Sequence, residues 1–402
     1  MVKILILNSG SSSIKFQLID MPSEKVIGKG LVEKIGLSDA SITVKNSKDQ
    51  KEVIRLNIPN HSKGIEFLLS IITDEKLDIL QSLDDLSAVG HRIVHGGQSF
   101  SKSVLVNDDV MHGIESCVEL APLHNPANIK GIQAIEAAIP NIPQVAVFDT
   151  AFHHTIPENR AVYALPIEYY KKYGLRKYGF HGTSHQYVTL RAKEIYGDDR
   201  TSKIITCHLG NGSSLAAILD GKSVETSMGF SPTDGLMMGT RCGAIDPSTI
   251  PFIADHEHLE ISDLSDLINK KSGLLGISGV SSDYRDVSEA AKKGNKDAEL
   301  ALSMFHYDVK KYIGTYMASL GGVDSIIFTG GIGENAKVAR KAICSGLEVF
   351  GIEIDDTKND AVMGIEADIS TDSSKVRICV IPTDEEVMIA RDTFNIVTDA
   401  KK

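Results

Sequence analysis

Apolar and polar positions change rhythm repeatedly along this chain, and each change predicts an element. Val2 to Leu7 is an apolar run. After Asn8-Ser9-Gly10-Ser11-Ser12-Ser13 comes a stretch in which Ile14, Phe16 and Leu18 alternate with Lys15, Gln17 and Ile19. Two strand patterns joined by a turn of small residues predict a β-hairpin. The design returns at Ile204–His208, Gly210-Asn211-Gly212-Ser213-Ser214 and Leu215–Leu219, closed by Asp220-Gly221. Gly10-Ser11-Ser12 and Gly212-Ser213-Ser214 lie 202 residues apart, about half the chain, which points to two related halves. Between the hairpins, residues 86–94 and 145–148 read as strands and 39–58 as a polar hairpin near an edge. Residues 184–196 read as a helix with a capping box from Thr183 and Gln186. Further on, 297–320 reads as a long amphipathic helix and Ser325–Phe328 as a strand that meets Thr329–Asn335. A last helix opens at Pro382-Thr383, with Thr383 and Glu386 as its capping box. No low-complexity linker is present, so the boundary expected near 150 is a direct crossing between elements.

Length and charge narrow the class. At 402 residues the chain exceeds what one hydrophobic core usually holds, so two α/β domains are expected. Its 42 Lys plus Arg against 53 Asp plus Glu leave a net charge of −11. A nucleic-acid or anionic-membrane binder needs a basic footprint, so neither partner is expected. Any anionic substrate must be held by a few locally placed cations. The five cysteines are scattered and include no C-x-x-C pair, which fits reduced thiols in a cytoplasm and no disulfide framework. The apolar start is too short for a signal peptide, and no apolar stretch is long enough to span a bilayer.

Three glycine turns, around Gly10, Gly212 and Gly331, each follow a strand. Glycine lets backbone N–H groups approach an anion closely, so the three together point to a nucleotide; singly, each is a tight turn. In His91-Arg92-Ile93-Val94-His95, period two places Arg92 and Val94 on one face, a cation beside an apolar surface. Asp149 ends the 145–148 strand at the edge where open α/β sheets place ligands, or else caps the next turn. His181 precedes a helix N-terminus, and Arg241 lies in the glycine-flanked loop Gly235–Gly243. Glu385, in the first turn of the last helix, is either a dipole partner or a carboxylate beside a metal. The H-x-x-x-H pairs His91/His95 and His181/His185 are interrupted by glycines or fall on a strand, unlike a zinc site on one helix face.

In order along the chain, ILILNSGSSSIKFQL, GHRIVHGG, VFDTAFH, YGFHGTSH, HLGNGSS, ETSMGFSPTDGLMMGTRCGAIDP, SSDYRDV, FTGGIGENA and IPTDEEVMIARDT together resemble the acetokinase family. That family belongs to the superfamily of acetate and sugar kinases, heat-shock chaperones and actin. The resemblance implies two actin-like, ribonuclease-H-like domains with a duplicated core and a cleft between them. Residues 1–150 plus 386–402 would form the acetate side, and 151–385 the nucleotide-binding and dimerising domain. It implies reversible phosphoryl transfer between ATP and acetate, giving ADP and acetyl phosphate, in a cytoplasmic homodimer. Carried over, Asn8 and Glu385 serve Mg²⁺, with Mn²⁺ as an alternative. Lys15 and His208-Leu209-Gly210-Asn211-Gly212 serve the ATP phosphates. Asp283, Tyr284 and Arg285, with Gly331-Ile332-Gly333-Glu334-Asn335, hold the adenosine side. Arg92 binds acetate, Val94, Leu123, Phe180 and Pro232 form the methyl pocket, Asp149 is the catalytic acid position, and His181 and Arg241 stabilise the transition state. Ala244 and Glu225 stand where the family commonly has Asp, which affects loop detail rather than class. A propionate or sugar kinase of the same superfamily is the nearest alternative. A chaperone-like ATP switch is a more distant one, and the lack of a separate peptide-binding β domain counts against it.

Overall fold

The computed structural model describes residues 2–122 and 124–400. Leu123, assigned above to the methyl pocket, lies outside the described residues. The chain forms two compact units, Met1–Ala151 with Asp384–Lys402, and Phe152–Thr383. The return to the first unit comes at Asp384, so Glu385 belongs to the first unit rather than the second. The reason is local: Asp384 caps the helix that packs on the first unit's sheet.

In the first unit the strands are β1 Val2–Ser9, β2 Ile14–Met21, β3 Lys25–Glu33, β4 Ser41–Asn46, β5 Lys51–Arg55, β6 Leu86–Ile93, β7 Val104–Leu105 and β8 Gln144–Phe148. They form one sheet in the order β5-β4-β3-β2-β1-β6-β8-β7. β1 to β5 pair antiparallel in succession, whereas β6 runs parallel to β1 and β8 parallel to β6. The β1–β2 hairpin is the one the alternation predicts, with Ser9 opposite Ile14 and the Gly10 N–H donating to the Ser13 carbonyl at 2.8 Å. One sheet face packs Leu5, Leu7, Ile14, Phe16 and Leu18 against the helix His61–Ile72. Farther along the same face Ile93 and Phe148 meet Ile129 and Ile132 of the helix Asn125–Ala138 and Ile114 of the helix Asp108–Ser116, while the last helix, Glu385–Asp399, covers the other face.

The second unit repeats the plan. β9 Lys203–Leu209, β10 Ser213–Leu219, β11 Lys222–Thr226, β12 Ser325–Thr329, β13 Ala367–Asp368 and β14 Arg377–Val380 order as β11-β10-β9-β12-β14-β13. The segment β3-β2-β1-β6-β8 of the first sheet and β11-β10-β9-β12-β14 of the second share one topology. In each, an antiparallel hairpin and third strand are followed by two parallel strands. This is the duplicated actin-like core. Alternation divides the second sheet cleanly. Ile205, Cys207, Leu209, Leu215 and Ala217 face the long helix Lys296–Leu320, and Ile204, Ala216 and Ile218 face the helix Gly182–Tyr196.

Two expected helix starts and one expected turn are corrected. The helix expected at 184 begins at Gly182, and its cap is His181 in the left-handed conformation, with φ 55°, so Thr183 sits inside the first turn. The Gly331 turn is the opening of a short helix, Gly330–Asn335, whose first N–H, from Gly330, is taken by the Glu334 carboxylate at 2.9 Å. The last helix is Glu385–Asp399, and its cap is Asp384, which accepts the Val387 N–H at 3.0 Å. Glu386 is drawn instead to Lys15, at 2.5 Å. Local sequence offered several capping residues at each start, and tertiary partners selected among them.

Candidate active site

Each unit assembles its own set of functional side chains at the carboxyl ends of neighbouring parallel strands, the edge where open α/β sheets place ligands. In the first unit the register pairs Leu7 of β1 with His91 of β6, and Arg92 of β6 with Val147 of β8. Asn8, Arg92 and Asp149 are therefore neighbours. The Arg92 Nη1–H donates to Asn8 Oδ1 at 3.3 Å and its Nε–H to Asp149 Oδ1 at 3.2 Å, while Nη2–H bonds Asp149 Oδ2. Asp149 is 1% exposed, so this fork-to-carboxylate pair is almost dry on the acid side. Burial opposes the charge on Arg92, but Asp149 and Glu385 outweigh it and raise its pKa above the ordinary value.

Glu385 completes the acidic side of this set. Burial, with Asp149 and Glu386 adding to it and Arg92 opposing, pushes its carboxyl up to about 7. Asp384 is also raised, mainly by burial. A group of oxygen donors whose like charges strain one another suits a hard divalent cation. Among the described residues no three His, Cys, Asp or Glu side chains are grouped to hold a metal directly. β6 ends at Ile93, so Val94 lies just beyond the strand, buried at 5% exposure. Its N–H donates to Asn128 Oδ1 at 3.1 Å, and the His95 N–H to Asn125 Oδ1 at 3.2 Å. These two buried asparagines hold the Arg92–Val94 segment, and sequence alone gave no sign of them. Lys15 lies in this unit too, salt-bridged to Glu386.

In the second unit the turn between β9 and β10 carries the HLGNG motif, closed by the Gly210 N–H to the Gly212 carbonyl at 3.1 Å. A methyl group placed on Gly212 would lie 3.3 Å from both Arg241 Nη1 and His181 Nε2, so the two side chains converge on this backbone. Arg241 Nη1–H donates to the Pro232 carbonyl at 3.2 Å, and burial lowers the arginine's pKa. His181 stacks on His208 with centroids 4.2 Å apart, and its Nδ1 lies 2.9 Å from Ser214 Oγ. The Phe180 carbonyl is hydrogen-bonded to His153 Nε2 at 2.9 Å, which fixes the backbone before the strained His181.

The residues expected on the adenosine side divide between surface and core. Asp283 caps the helix Tyr284–Lys292 and pairs with the exposed Arg285, whose hydrogen bonds lower the Asp283 carboxyl to about 2. Tyr284 turns inward, with its hydroxyl 2.8 Å from His306 Nε2, and burial raises its pKa to about 12. Leu209 and Ile332 are core residues as well. The helix Gly330–Asn335 is tied down by Glu334, which accepts the Gly330 and Thr383 N–H groups, and by the buried Arg340, which donates to the Gly333 and Glu334 carbonyls. Asn335 Nδ2–H bonds the Gly331 carbonyl at 3.0 Å.

The profile of the Acetokinase family matches residues 3–391. An acetate kinase of Desulfitobacterium hafniense is 53% identical over 397 residues, 98% of this chain and 99% of that protein. This chain belongs to the acetokinase family. Among solved structures, that of Porphyromonas gingivalis acetate kinase is 49% identical with a TM-score of 0.94, covering 99% of this chain and 100% of that one. A propionate kinase from Francisella tularensis is 45% identical with a TM-score of 0.92, covering 98% and 100%. As an acetokinase, the chain is a phosphotransferase.

Proposed function

We propose that this chain is an acetate kinase, transferring the γ-phosphoryl group of ATP reversibly and directly, in line, to acetate, giving ADP and acetyl phosphate. The observation that carries the reading is the convergence of His181 and Arg241 on the Gly212 backbone, donors gathered at a phosphate-type glycine turn. The substrate class rests on the 53% identity to an acetate kinase over nearly the full length of both chains.

Acetate, like side-chain carboxylic acids with a pKa of about 4, is already ionised at neutral pH, so its oxygen needs no general base. The demand is electrostatic: a carboxylate and a phosphoryl group must be held in line against their repulsion. Arg92 supplies the cation for acetate, and arginine suits a planar carboxylate. Asp149 orients Arg92 through their two hydrogen bonds, which supports a positioning part rather than proton handling at that carboxylate. Val94, Leu123, Phe180 and Pro232 make the methyl pocket. Arg241 and His181 offset charge on the transferring phosphoryl oxygens. Lys15 and His208–Gly212 take the ATP phosphates. Asp283, Tyr284, Arg285 and Gly331–Asn335 hold the adenosine side, where the inward Tyr284 and Ile332 act through their backbones, as does Leu209 in the phosphate turn. Asn8 and Glu385 would hold Mg²⁺ through water, with Mn²⁺ as a substitute, and the bound cation would offset phosphate charge. The acetate cation Arg92 thus lies in the first unit, and the phosphate turn and the adenosine-side residues lie in the second.

The protein would work in the cytoplasm, a reading supported by five free cysteines. It would act as a homodimer through the second unit, where the exposed Phe252, Ile261 and Tyr307 support an apolar contact. The test is trapping of acyl phosphate as hydroxamate, with ADP release followed against acetate, propionate, glycerol and glucose. Acetate-dependent hydroxamate with the highest kcat/KM for acetate is expected. Higher kcat/KM for propionate would make the chain a propionate kinase, and acid-independent ATP turnover would point to an ATP switch.

A further inference from the structure

Behind His181 lies a buried chain of side chains that no substrate assignment uses. Ser214 is fully buried on β10, and its Oγ lies 2.9 Å from His181 Nδ1 and 2.8 Å from His185 Nε2. His185 Nδ1 lies 2.7 Å from Thr206 Oγ1 on β9, and the Thr206 hydroxyl also stands 3.5 Å from the Ala216 carbonyl. Period two puts Thr206 and Ser214 on the sheet face that meets the helix Gly182–Tyr196, where helical spacing brings His181 and His185 together. His185 is buried, and burial, with His153 and His208 beside it, holds its pKa well below the ordinary value; it is neutral.

A neutral imidazole has one N–H and one lone pair, and each hydroxyl has one hydrogen. Only two arrangements then satisfy the chain. In one, Thr206 donates to His185 Nδ1, His185 Nε2–H donates to Ser214, and Ser214 donates to His181 Nδ1. In the other, every hydrogen is reversed and the Thr206 hydrogen must go to Ala216. That alternative keeps the 2.7 Å contact with its direction reversed but leaves the buried Thr206 hydrogen only an acceptor at the 3.5 Å limit, where hydrogen bonds are weak. The first arrangement prevails, and its far end is a His181 whose proton sits on Nε2. That is the atom beside Arg241 Nη1 at the Gly212 backbone.

The geometry points to Ser214, backed by His185 and Thr206, as a positioning residue that fixes His181 as a neutral donor through Nε2–H. Resting on the phosphoryl-transfer reading above, this names how the histidine is prepared to meet an anionic oxygen without a proton transfer. Ring nitrogens are set by the partner of the opposite nitrogen, a recurring device for orienting imidazoles.

The test pairs structure with rate. ¹⁵N shifts of histidine-labelled protein, assigned with His181→Gln, are expected to show His181 protonated at Nε2, and in Ser214→Ala a mixture of tautomers. Acetyl phosphate formation by Ser214→Ala should lose about tenfold in kcat, the low end for outer partners of a working imidazole, with both KM values within about twofold. Thr206→Val should lower kcat in the same way and Thr206→Ser should restore it, which keeps the test open if Ser214→Ala does not fold. A wild-type His181 protonated at Nδ1, or full kcat in folded Ser214→Ala or Thr206→Val, overturns the assignment. Absence of acyl phosphate from the wild-type protein would instead overturn the function, and the tautomer is read without it.

Discussion

At the scale of single residues, the Arg92–Asp149 pair sets the strongest expectations. Asp149 is nearly inaccessible, so Arg92→Ala would strand a carboxylate without its cation. Breaking a buried pair from one side costs about 3–5 kcal/mol. The variant should therefore show a lower denaturant midpoint and an acetate KM raised well beyond any change for ATP. Equal weakening of both substrates would move Arg92 to the phosphates. Val94 makes a different prediction. It is buried and held through its N–H by Asn128, so its side chain has a fixed place. Val94→Ala makes room for one more carbon, and a methylene in such a pocket is worth about 1–3 kcal/mol, roughly 10–200-fold. The ratio of kcat/KM for propionate to acetate should rise at the low end of that range. A shift under about twofold, well below 1 kcal/mol, would remove Val94 as a size gate.

At the scale of elements, the loop that carries Arg241 and the turn that carries Asn211 are built against each other. The Gly239 N–H donates to the Asn211 carbonyl at 3.0 Å. A Cβ on Gly239 would lie 1.8 Å from Asn211 Oδ1 and 2.9 Å from the Ser282 carbonyl oxygen, so there is no room for one. Gly239→Ala should displace the Asn211 turn while β9 and β10 stay paired. The expected result is an ATP KM raised about tenfold, equivalent to about 1.4 kcal/mol, with a smaller change for acetate. Initial-rate kinetics with each substrate varied in turn decide it. An unmoved ATP KM would separate this turn from the phosphates.

At the scale of the molecule, the acids around Arg92 link stability to pH. Glu385 has an ordinary carboxyl value near 4.5 when unfolded and about 7 in the fold, chiefly through burial. The folded state therefore binds the extra proton between those values. Its contribution to stability is fully present below about 4.5 and is lost as pH rises through about 7. Glu385→Gln removes the charge, so without added divalent cation it should be more stable than the native chain at pH 8, by about 1–3 kcal/mol. The gap should close near pH 4.5 and narrow at pH 8 when Mg²⁺ is added. Urea midpoints at the two pH values measure it, and a gap independent of pH would show that Glu385 is ionised throughout.

The sequence by itself determined the paired hairpins, the half-length repeat, the α/β class, the polar edge hairpin and the ordered motifs of the acetokinase family. These are local or linear properties: period-two alternation, turns of small residues, and residue identity at fixed spacing. It marked Arg92, Asp149, His181 and Arg241 because each sits at the end of an element or beside glycines. Only the tertiary structure decided which groups these residues meet. Strand register made Asn8 and Asp149 the partners of Arg92, and the return of the last helix added Glu385. Sheet alternation set Ser214 and Thr206 behind His181 through a contact between β10 and a helix that precedes it in the chain. The two misplaced helix starts have the same cause. Thr183, Thr383 and Glu386 satisfy a capping pattern in sequence, but a left-handed His181, the Asp384 cap and the Lys15 ammonium are choices made across the fold, where burial and charge outweigh local preference.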